Sequence, residues 1–254
     1  PPPPPAPTAT PPAHYAAPGD EGPAPSQARR WDGDFLTVRD LLASRELGRI
    51  TQYESHFDRF RPEVRQRWRE EASRGGGLLF DLGPHLIDQA LALFGAPQTV
   101  SATVRTHRDQ ASAPDYVHIQ LGYGEFEVVL HASALTAYVA PRFTIHGTQG
   151  SYVKYGLDTQ EDQLKAGLRP GDDGFGAGNA PGVLRVLEDG QEVEREVPTR
   201  NGEYVGFYIA LADAIQNGTK FPVSAQDAVD VMTIIELAAR SSEEGVRLPF
   251  ERIR

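Results

Sequence analysis

The chain has 254 residues, of which 39% are hydrophobic, and this is enough apolar surface for the core of one large domain or two small ones. The formal charge of −10 argues against a nucleic-acid or anionic-membrane partner, because such surfaces recruit Lys and Arg to neutralise phosphate. The absence of Cys excludes disulfides and thiolate catalysis, and without a membrane-spanning or signal stretch we expect a cytoplasmic protein.

The N-terminal segment has a composition typical of disorder. Residues 1–28 are dominated by Pro, Ala and Gly and contain almost no large apolar side chains. Such a segment cannot bury enough surface to offset the entropy of ordering it. We therefore predict a disordered Pro/Ala-rich tail over residues 1–28 and a folded domain over residues 29–254.

The folded part begins with a helical pattern and then a strand. The segment "FLTVRDLLASRELG" predicts a short amphipathic helix, with Thr37 as its N-cap and Gly48 at its end. In "RITQYESHFDRF" the residue types alternate with period 2, and His56 falls on the more polar face. This alternation predicts a strand.

The segment "GGGLLFDLGPHLIDQALALFG" at residues 75–95 places polar groups inside an apolar helical pattern. Asp81 and His85 are four residues apart, which puts them on one face of a helix. A carboxylate beside an imidazole orients the ring for proton transfer. Pro84 is tolerated only in a first turn, which places the helix start near Asp81, and the upstream glycines, including Gly77, allow a ligand to approach the backbone. The alternative is that Asp81 is an ordinary N-cap and His85 a half-buried structural residue.

Several further residues are candidates for ligand contact. Asp88 shares the helix face of the preceding pair, so Asp81, His85 and Asp88 also suit a metal-dependent lyase or hydrolase, with Glu54 or His56 as a further ligand. We consider this alternative the weaker one and assign no metal ligand.

A run of five arginines near Trp68 begins at Arg59 and suits an anionic or polyhydroxylated ligand, or else a solvated face paired with glutamates. Our candidate substrate-binding residues are Gly77, Asp88, His56 and Arg59.

The rest of the chain predicts an α+β fold. Four segments rich in β-branched and aromatic residues follow one another between residues 99 and 155, which predicts an antiparallel meander. A hairpin turning at Asp189-Gly190 comes next, and two helices close the chain, the second opening with a capping box at Ser224. We predict an open, largely antiparallel sheet with helices packed on one face.

The pattern over residues 75–95 resembles the GGGxxxDxGxHxxDxxxxLxG signature of the Gfo/Idh/MocA oxidoreductases, which are similar to glucose–fructose oxidoreductase and inositol dehydrogenase. The segments "YESHFDRFRP", "FTIHGTQGSYVKYG" and "PVSAQDAVDVMTIIELA" also look like segments of that family. The resemblance implies that His85 exchanges a proton with a substrate hydroxyl and that Asp81 orients it. It further implies that Arg30 and Trp31 lie near an NAD or NADP cofactor.

The departures from the family pattern affect the functional prediction. The chain has neither a G-x-G-x-x-G loop nor a Glu-Lys-Pro motif, so the Rossmann half is missing. We predict the substrate and oligomerisation domain of an NAD(P)-dependent oxidoreductase that acts on a sugar or cyclitol hydroxyl, incomplete as it stands. The alternative is a non-catalytic binding or scaffold module.

Two expectations concern the whole protein. The family resemblance predicts a homodimer through the open sheet face, which bears Tyr116, His118, Glu127, Val129 and His131. The abrupt start of the resemblance near Arg29 suggests a frameshift or misplaced start in GC-rich DNA, with the Rossmann half encoded in another frame. Reading the neighbouring DNA in all three frames tests this hypothesis.

Overall fold

The computed structural model describes residues 27–253. Residues 1–26 of the predicted tail lie outside this range. The description starts two residues ahead of the predicted domain boundary: Gln27 is buried, and Ala28 opens a 3-10 helix that ends at Trp31.

Six α-helices and nine strands make up the described part of the chain. The helices are α1 Gly33–Ser44, α2 Leu78–Asp81, α3 Gly83–Phe94, α4 Gln160–Lys165, α5 Tyr204–Asn217 and α6 Ala225–Glu244. The strands are β1 Ile50–Asp58, β2 Thr99–Arg105, β3 Tyr116–Gly122, β4 Glu127–Ser133, β5 Phe143–Gly147, β6 Gly150–Lys154, β7 Gly182–Glu188, β8 Gln191–Val197 and β9 Leu248–Pro249.

All nine strands form one open sheet in the order β8-β7-β6-β5-β1-β4-β3-β2-β9. Every described pair is antiparallel except β1 and β4, which run parallel. The predicted meander is therefore only partly right, because β1 inserts between β4 and β5. A strand from far back in the chain can do this because its neighbours offer free backbone groups that need partners.

The core lies between one face of the sheet and the helices. On β3 the predicted apolar set of Val117, Ile119 and Leu121 is fully buried, whereas His118 and Gln120 on the other face are only half-buried. Helices α3 and α6 pack together on the apolar face and cover it. The α+β prediction, with helices on one face of an open and largely antiparallel sheet, is confirmed.

Helix boundaries follow local capping chemistry where the sequence signal is strong. The capping box of α6 forms as predicted, with Ser224 accepting from the backbone N–H of Asp227, and α5 ends at the left-handed Gly218. The predicted cap of α1 is wrong. Thr37 lies inside the helix and donates its hydroxyl to the carbonyl of Gly33, and the helix ends at Ser44 before a left-handed Arg45 rather than at Gly48.

Over residues 27–253, none of the helices combines the length and the apolar composition needed to cross a bilayer.

Candidate active site

A pocket of about 260 Å³ opens at the N-terminus of α3. It is lined by Gln27, Trp68, Arg69, Gly75, Gly76, Gly77, Phe80, Asp81, Pro84 and His85. A smaller recess beside it shares Arg69, Gly77 and Asp81 and adds further arginines, namely Arg59, Arg61, Arg67 and Arg108. The structure thus brings the predicted residues Gly77, Asp81 and His85 into one pocket with a cationic rim.

The local sequence explains the shape of this pocket. Gly77 has φ of 104°, and a Cβ there would lie 2.8 Å from the ring of Pro114, so only glycine fits. Its neighbour Leu78 donates its backbone N–H to the Pro114 carbonyl, which fixes the chain against the sheet. We predicted that a ligand would approach the backbone at these glycines, but at Gly77 the group in close contact with the backbone is Pro114.

The apolar helical pattern is broken into two helices. Pro84 lies in the first turn of α3, as predicted, and its ring would clash with the carbonyl of Phe80 in a continuous helix. The helix is therefore interrupted at Leu82, so that Asp81 is the last residue of α2 and His85 lies in the first turn of α3.

His85 is a neutral imidazole at physiological pH. Burial, together with the guanidinium groups of Arg29, Arg142 and Arg69, lowers the pKa of His85 to about 4. Its Nδ1 is buried and has no hydrogen-bond partner in the described structure. His85 is therefore a proton acceptor whose ring lines the pocket.

The side chain of Asp81 pairs with an arginine of the pocket rim in this structure. Its carboxylate pairs with Arg69, with 3.4 Å between Oδ1 and Nε, and within residues 27–253 no hydrogen bond joins it to His85. It is not an N-cap either, because the cap position of α3 is Leu82. The pair lies in one pocket without the direct contact that the i, i+4 spacing suggested.

Arg30 and Asp88 form an internal ion pair. Arg30 donates to both oxygens of Asp88, at 2.9 and 2.6 Å, and also to the Pro222 carbonyl and to Asp227. Burial raises the pKa of Asp88 even though Arg30 opposes this shift. These contacts tie the first 3-10 helix to α3 and to the start of α6, and the cofactor contact of Arg30 and the substrate contact of Asp88 stay predictions.

Trp31, the other predicted cofactor contact, lies edge-on against Phe207 of α5, with 5.5 Å between ring centroids. It does not line the pocket of His85.

Of the remaining predicted substrate residues, one lies near the pocket and one does not. Arg59 lines the adjoining recess, where burial and the neighbouring Arg61 lower its pKa. His56 lies on the opposite face of the sheet, because Tyr53 and Phe57 on the same strand point into the core. Alternation along β1 therefore excludes His56 from the pocket.

The alternative metal site also fails on geometry. Among the described residues, the one cluster with metal-ligand spacing contains neither Asp81 nor His85 nor Asp88. The three carboxylate and imidazole groups are held apart by the break at Leu82 and by the ion pair of Asp88 with Arg30.

A buried polar network supports the floor of the pocket. Arg142 is almost fully buried, pairs with Asp34 at 3.4 Å and donates to the side-chain carbonyl of Gln89 at 2.7 Å. Gln89 in turn donates to the backbone carbonyl of Arg29 at 2.9 Å. The guanidinium of Arg142 stacks over Phe57, 4.0 Å from the ring centroid. This network ties α3 to the first 3-10 helix and holds positive charge beneath His85.

Sequence reasoning missed several residues of the pocket. Gln27 was assigned to the tail because its neighbours have a disordered composition. Phe80 is exposed at the rim, and the only signal for it was an aromatic residue after three glycines. Arg69 and Trp68 belong to the run that suits a ligand, but the sequence did not show that they share a pocket with His85.

Comparison with known proteins identifies the family. A family described as "Oxidoreductase family, C-terminal alpha/beta domain" (Gfo/Idh/MocA) matches residues 39–250. The uncharacterized oxidoreductase YdgJ of Escherichia coli K12 is 44% identical over 220 residues, and the match covers 87% of this chain and 64% of YdgJ. The chain belongs to the Gfo/Idh/MocA oxidoreductase family.

Other members of the Gfo/Idh/MocA family give the same result. The scyllo-inositol 2-dehydrogenase (NADP(+)) IolW of Bacillus subtilis is 41% identical over 219 residues, covering 85% of this chain and 61% of IolW. The solved structure of YPO2259 from Yersinia pestis superposes with a TM-score of 0.85 at 44% identity, covering 90% of this chain and 64% of that one. The chain thus spans less than two thirds of the length of these relatives, and what it shares with them is the C-terminal alpha/beta domain.

Proposed function

We propose that this chain is the substrate-binding and assembly domain of an NAD(P)-dependent oxidoreductase that acts on a sugar or cyclitol hydroxyl. The observation that carries the proposal is His85, a neutral imidazole that lines a pocket with a cationic rim. The activity of the relative IolW, an NADP(+)-dependent scyllo-inositol dehydrogenase at 41% identity, supports both the substrate class and the cofactor class.

The proton half of the reaction is what the residues of this chain supply. Oxidation of an alcohol to a carbonyl requires the hydroxyl proton to leave, and a neutral imidazole within reach accepts it. Arg69 and Arg59 offer donors for the other hydroxyls of a polyhydroxylated ring, and Asp81 offers an acceptor. These groups orient the substrate so that the hydroxyl to be oxidised faces His85.

Residues 27–253 do not form a cradle for a dinucleotide. The sequence contains no G-x-G-x-x-G, and the parallel pair of β1 and β4 is not joined by a glycine-rich turn from a strand into a helix. In this proposal a nucleotide-binding domain outside the sequence holds the cofactor. The missing cradle also favours the second candidate function, a binding or scaffold module without activity of its own.

The experiment joins this chain to a nucleotide-binding domain of a relative and measures NADP(+)-dependent oxidation of inositols and aldoses. We expect His85→Ala to lower kcat by roughly 10²–10⁴-fold, the usual effect of removing a general base. The matched control is His146→Ala, which removes a half-buried histidine from the other face of the sheet. An unchanged rate in His85→Ala would leave His85 with a structural role only.

A binding titration separates the two candidate functions. We expect the chain alone to show no micromolar affinity for NADH or NADPH by calorimetry, and the joined protein to bind one of them. Should the joined protein bind cofactor yet oxidise none of the polyols, the scaffold function would replace the catalytic one.

A further inference from the structure

Three polar side chains converge on the open face of the sheet, on the side opposite His85. His56 and Asp58 are two residues apart on β1, and His131 lies directly across from His56 on β4. The parallel pairing of these two strands, which the sequence did not predict, is what brings the three groups together. Each offers one ligand atom, and the three atoms lie within 4.8 Å of one another.

The distances in this cluster are too long for good hydrogen bonds. The Nδ1 atom of His56 lies 3.4 Å from Asp58 Oδ2, and the Nε2 atom of His131 lies 3.4 Å from Asp58 Oδ1. Hydrogen bonds from nitrogen to oxygen are typically about 2.7–3.2 Å long. A tetrahedral ion with ligand bonds of about 2.1 Å separates its ligand atoms by about 3.4 Å, and each imidazole nitrogen lies at that distance from one Asp58 oxygen, His56 from Oδ2 and His131 from Oδ1.

The cluster contains buried polar atoms that lack partners. The side chain of Asp58 is only 2% exposed. Its Oδ1 atom and Nδ1 of His56 are both buried without a hydrogen-bond partner among the described residues. An unpartnered buried carboxylate oxygen is costly unless it is hydrogen-bonded or coordinates a cation. A bound cation would satisfy both atoms at once.

A second carboxylate orients one of the histidines. The Nε2 atom of His56 lies 3.3 Å from Glu54 Oε2, and in the tautomer that carries its proton on Nε2 the Nδ1 lone pair faces Asp58. Metal-bound histidines are commonly held in this way, with the ring nitrogen remote from the metal donating to a carboxylate. Without a cation or an added proton, the Nδ1 lone pair would face a carboxylate.

We propose that His56, Asp58 and His131 form a binding site for a divalent transition-metal ion, with Glu54 as the outer carboxylate that orients His56. Two imidazoles and one carboxylate are a donor set suited to zinc, and three protein ligands leave a fourth position for water. The side chains of His56 and His131 are 15% and 14% exposed, so an ion can enter from solvent. The site lies on the other face of the sheet from the pocket of His85, on the face that carries the proposed homodimer, so metal binding is independent of proton transfer at His85.

The competing explanation is that His56 carries a proton rather than a metal. An imidazolium between Asp58 and Glu54 would also satisfy the geometry, and it would require no ion. The two explanations differ in stoichiometric metal binding, which only the first predicts.

The experiment strips the full chain with a chelator, removes the chelator and titrates Zn²⁺ by calorimetry at neutral pH, with Co²⁺ as a spectroscopic probe. We expect one ion per chain, a Co²⁺ spectrum typical of four-coordination, and a higher melting temperature with Zn²⁺. Asp58→Asn and His131→Gln are expected to abolish stoichiometric binding. Glu54→Gln is expected to weaken it by about 10–100-fold.

The controls keep the proposal falsifiable. His146→Gln removes a histidine from the neighbouring strand, outside the cluster, and should bind like the wild type. Circular dichroism checks that each variant folds, and His131→Gln serves in place of Asp58→Asn if the buried substitution prevents folding. No stoichiometric binding, one ion per two chains, or equal affinity in folded His131→Gln and wild type would each overturn the proposal.

Discussion

Burial and, after it, the positive charge of nearby arginines hold His85 in its neutral form. Three guanidinium groups act on the ring in addition to its burial, and all of these effects favour the neutral form. One of the three, Arg69, also binds the Asp81 carboxylate. The arginine therefore acts twice on His85: it contributes positive charge and it neutralises the nearest predicted partner.

Arg69→Gln tests this interpretation. Removing the cation makes the imidazolium less costly and frees the carboxylate of Asp81, and since both changes favour the charged ring, the pKa of His85 should rise from about 4 toward its usual value near 6.5. An NMR titration of the ring, assigned with His85→Gln, measures this shift. The control is Arg65→Gln, an exposed arginine of the same run that does not line the pocket. A pKa that stays near 4 in Arg69→Gln would show that Arg69 and its pairing with Asp81 do not determine it.

At the level of elements, the turn before α2 fixes where the pocket lies. Two glycines of this turn differ in what surrounds them. Gly77 has φ of 104° and packs against Pro114, whereas Gly75 has φ of 70° and has no atom within 4 Å of a built Cβ. Gly77 is therefore constrained by its contact with Pro114, and Gly75 only by its own backbone conformation.

Gly77→Ala and Gly75→Ala form a matched pair. Each forces a non-glycine residue into a positive φ, at about 1–3 kcal/mol, but only Gly77→Ala also drives a methyl into Pro114. We expect Gly77→Ala to lower the free energy of unfolding by at least about 1 kcal/mol more than Gly75→Ala. Urea denaturation measures both. Equal losses would mean that the turn moves freely away from Pro114.

At the level of the whole molecule, the sheet has one face covered by helices and one without a covering element among the described residues. Nine strands at about 4.8 Å spacing and with a mean length of about six residues give a face of roughly 900 Å². A stable dimer buries about 800 Å² on each subunit. The predicted homodimer through this face remains a proposal, and the size of the face is sufficient for it.

Val129→Glu tests the dimer. Val129 is half-buried at the middle of the open face, so a charge there would lie desolvated in an interface between two copies. We expect the wild type to have the mass of a dimer by light scattering and Val129→Glu that of a monomer. Ile215→Glu places the same charge on exposed α5 and should leave the mass unchanged. A monomeric wild type at tens of micromolar would contradict the proposal.

The sequence by itself determined the features that rest on local chemistry. The period-2 pattern of β3 fixed which of its residues are buried, because successive side chains of a strand point to opposite faces. The hairpin turn lies at Asp189-Gly190 because both residues adopt the left-handed backbone that this turn requires. Helix α6 begins after Ser224 because its side chain accepts a hydrogen bond from a free backbone N–H of the first turn. The glycine signature also located the pocket of His85, since close packing at Gly77 and the break before Pro84 both arise within a few residues.

Only the tertiary structure decided which distant side chains meet. The i, i+4 spacing suggested a contact between Asp81 and His85, but Arg69 binds the carboxylate first, and Asp88 is held by Arg30 from 58 residues away. His56 was expected at the pocket and lies instead beside His131, because β1 inserts next to β4. Strand order depends on which free edges pair across the whole sheet, and burial of an ion pair depends on what surrounds it. Neither the strand order nor the burial of an ion pair is encoded in the spacing of residues along one element.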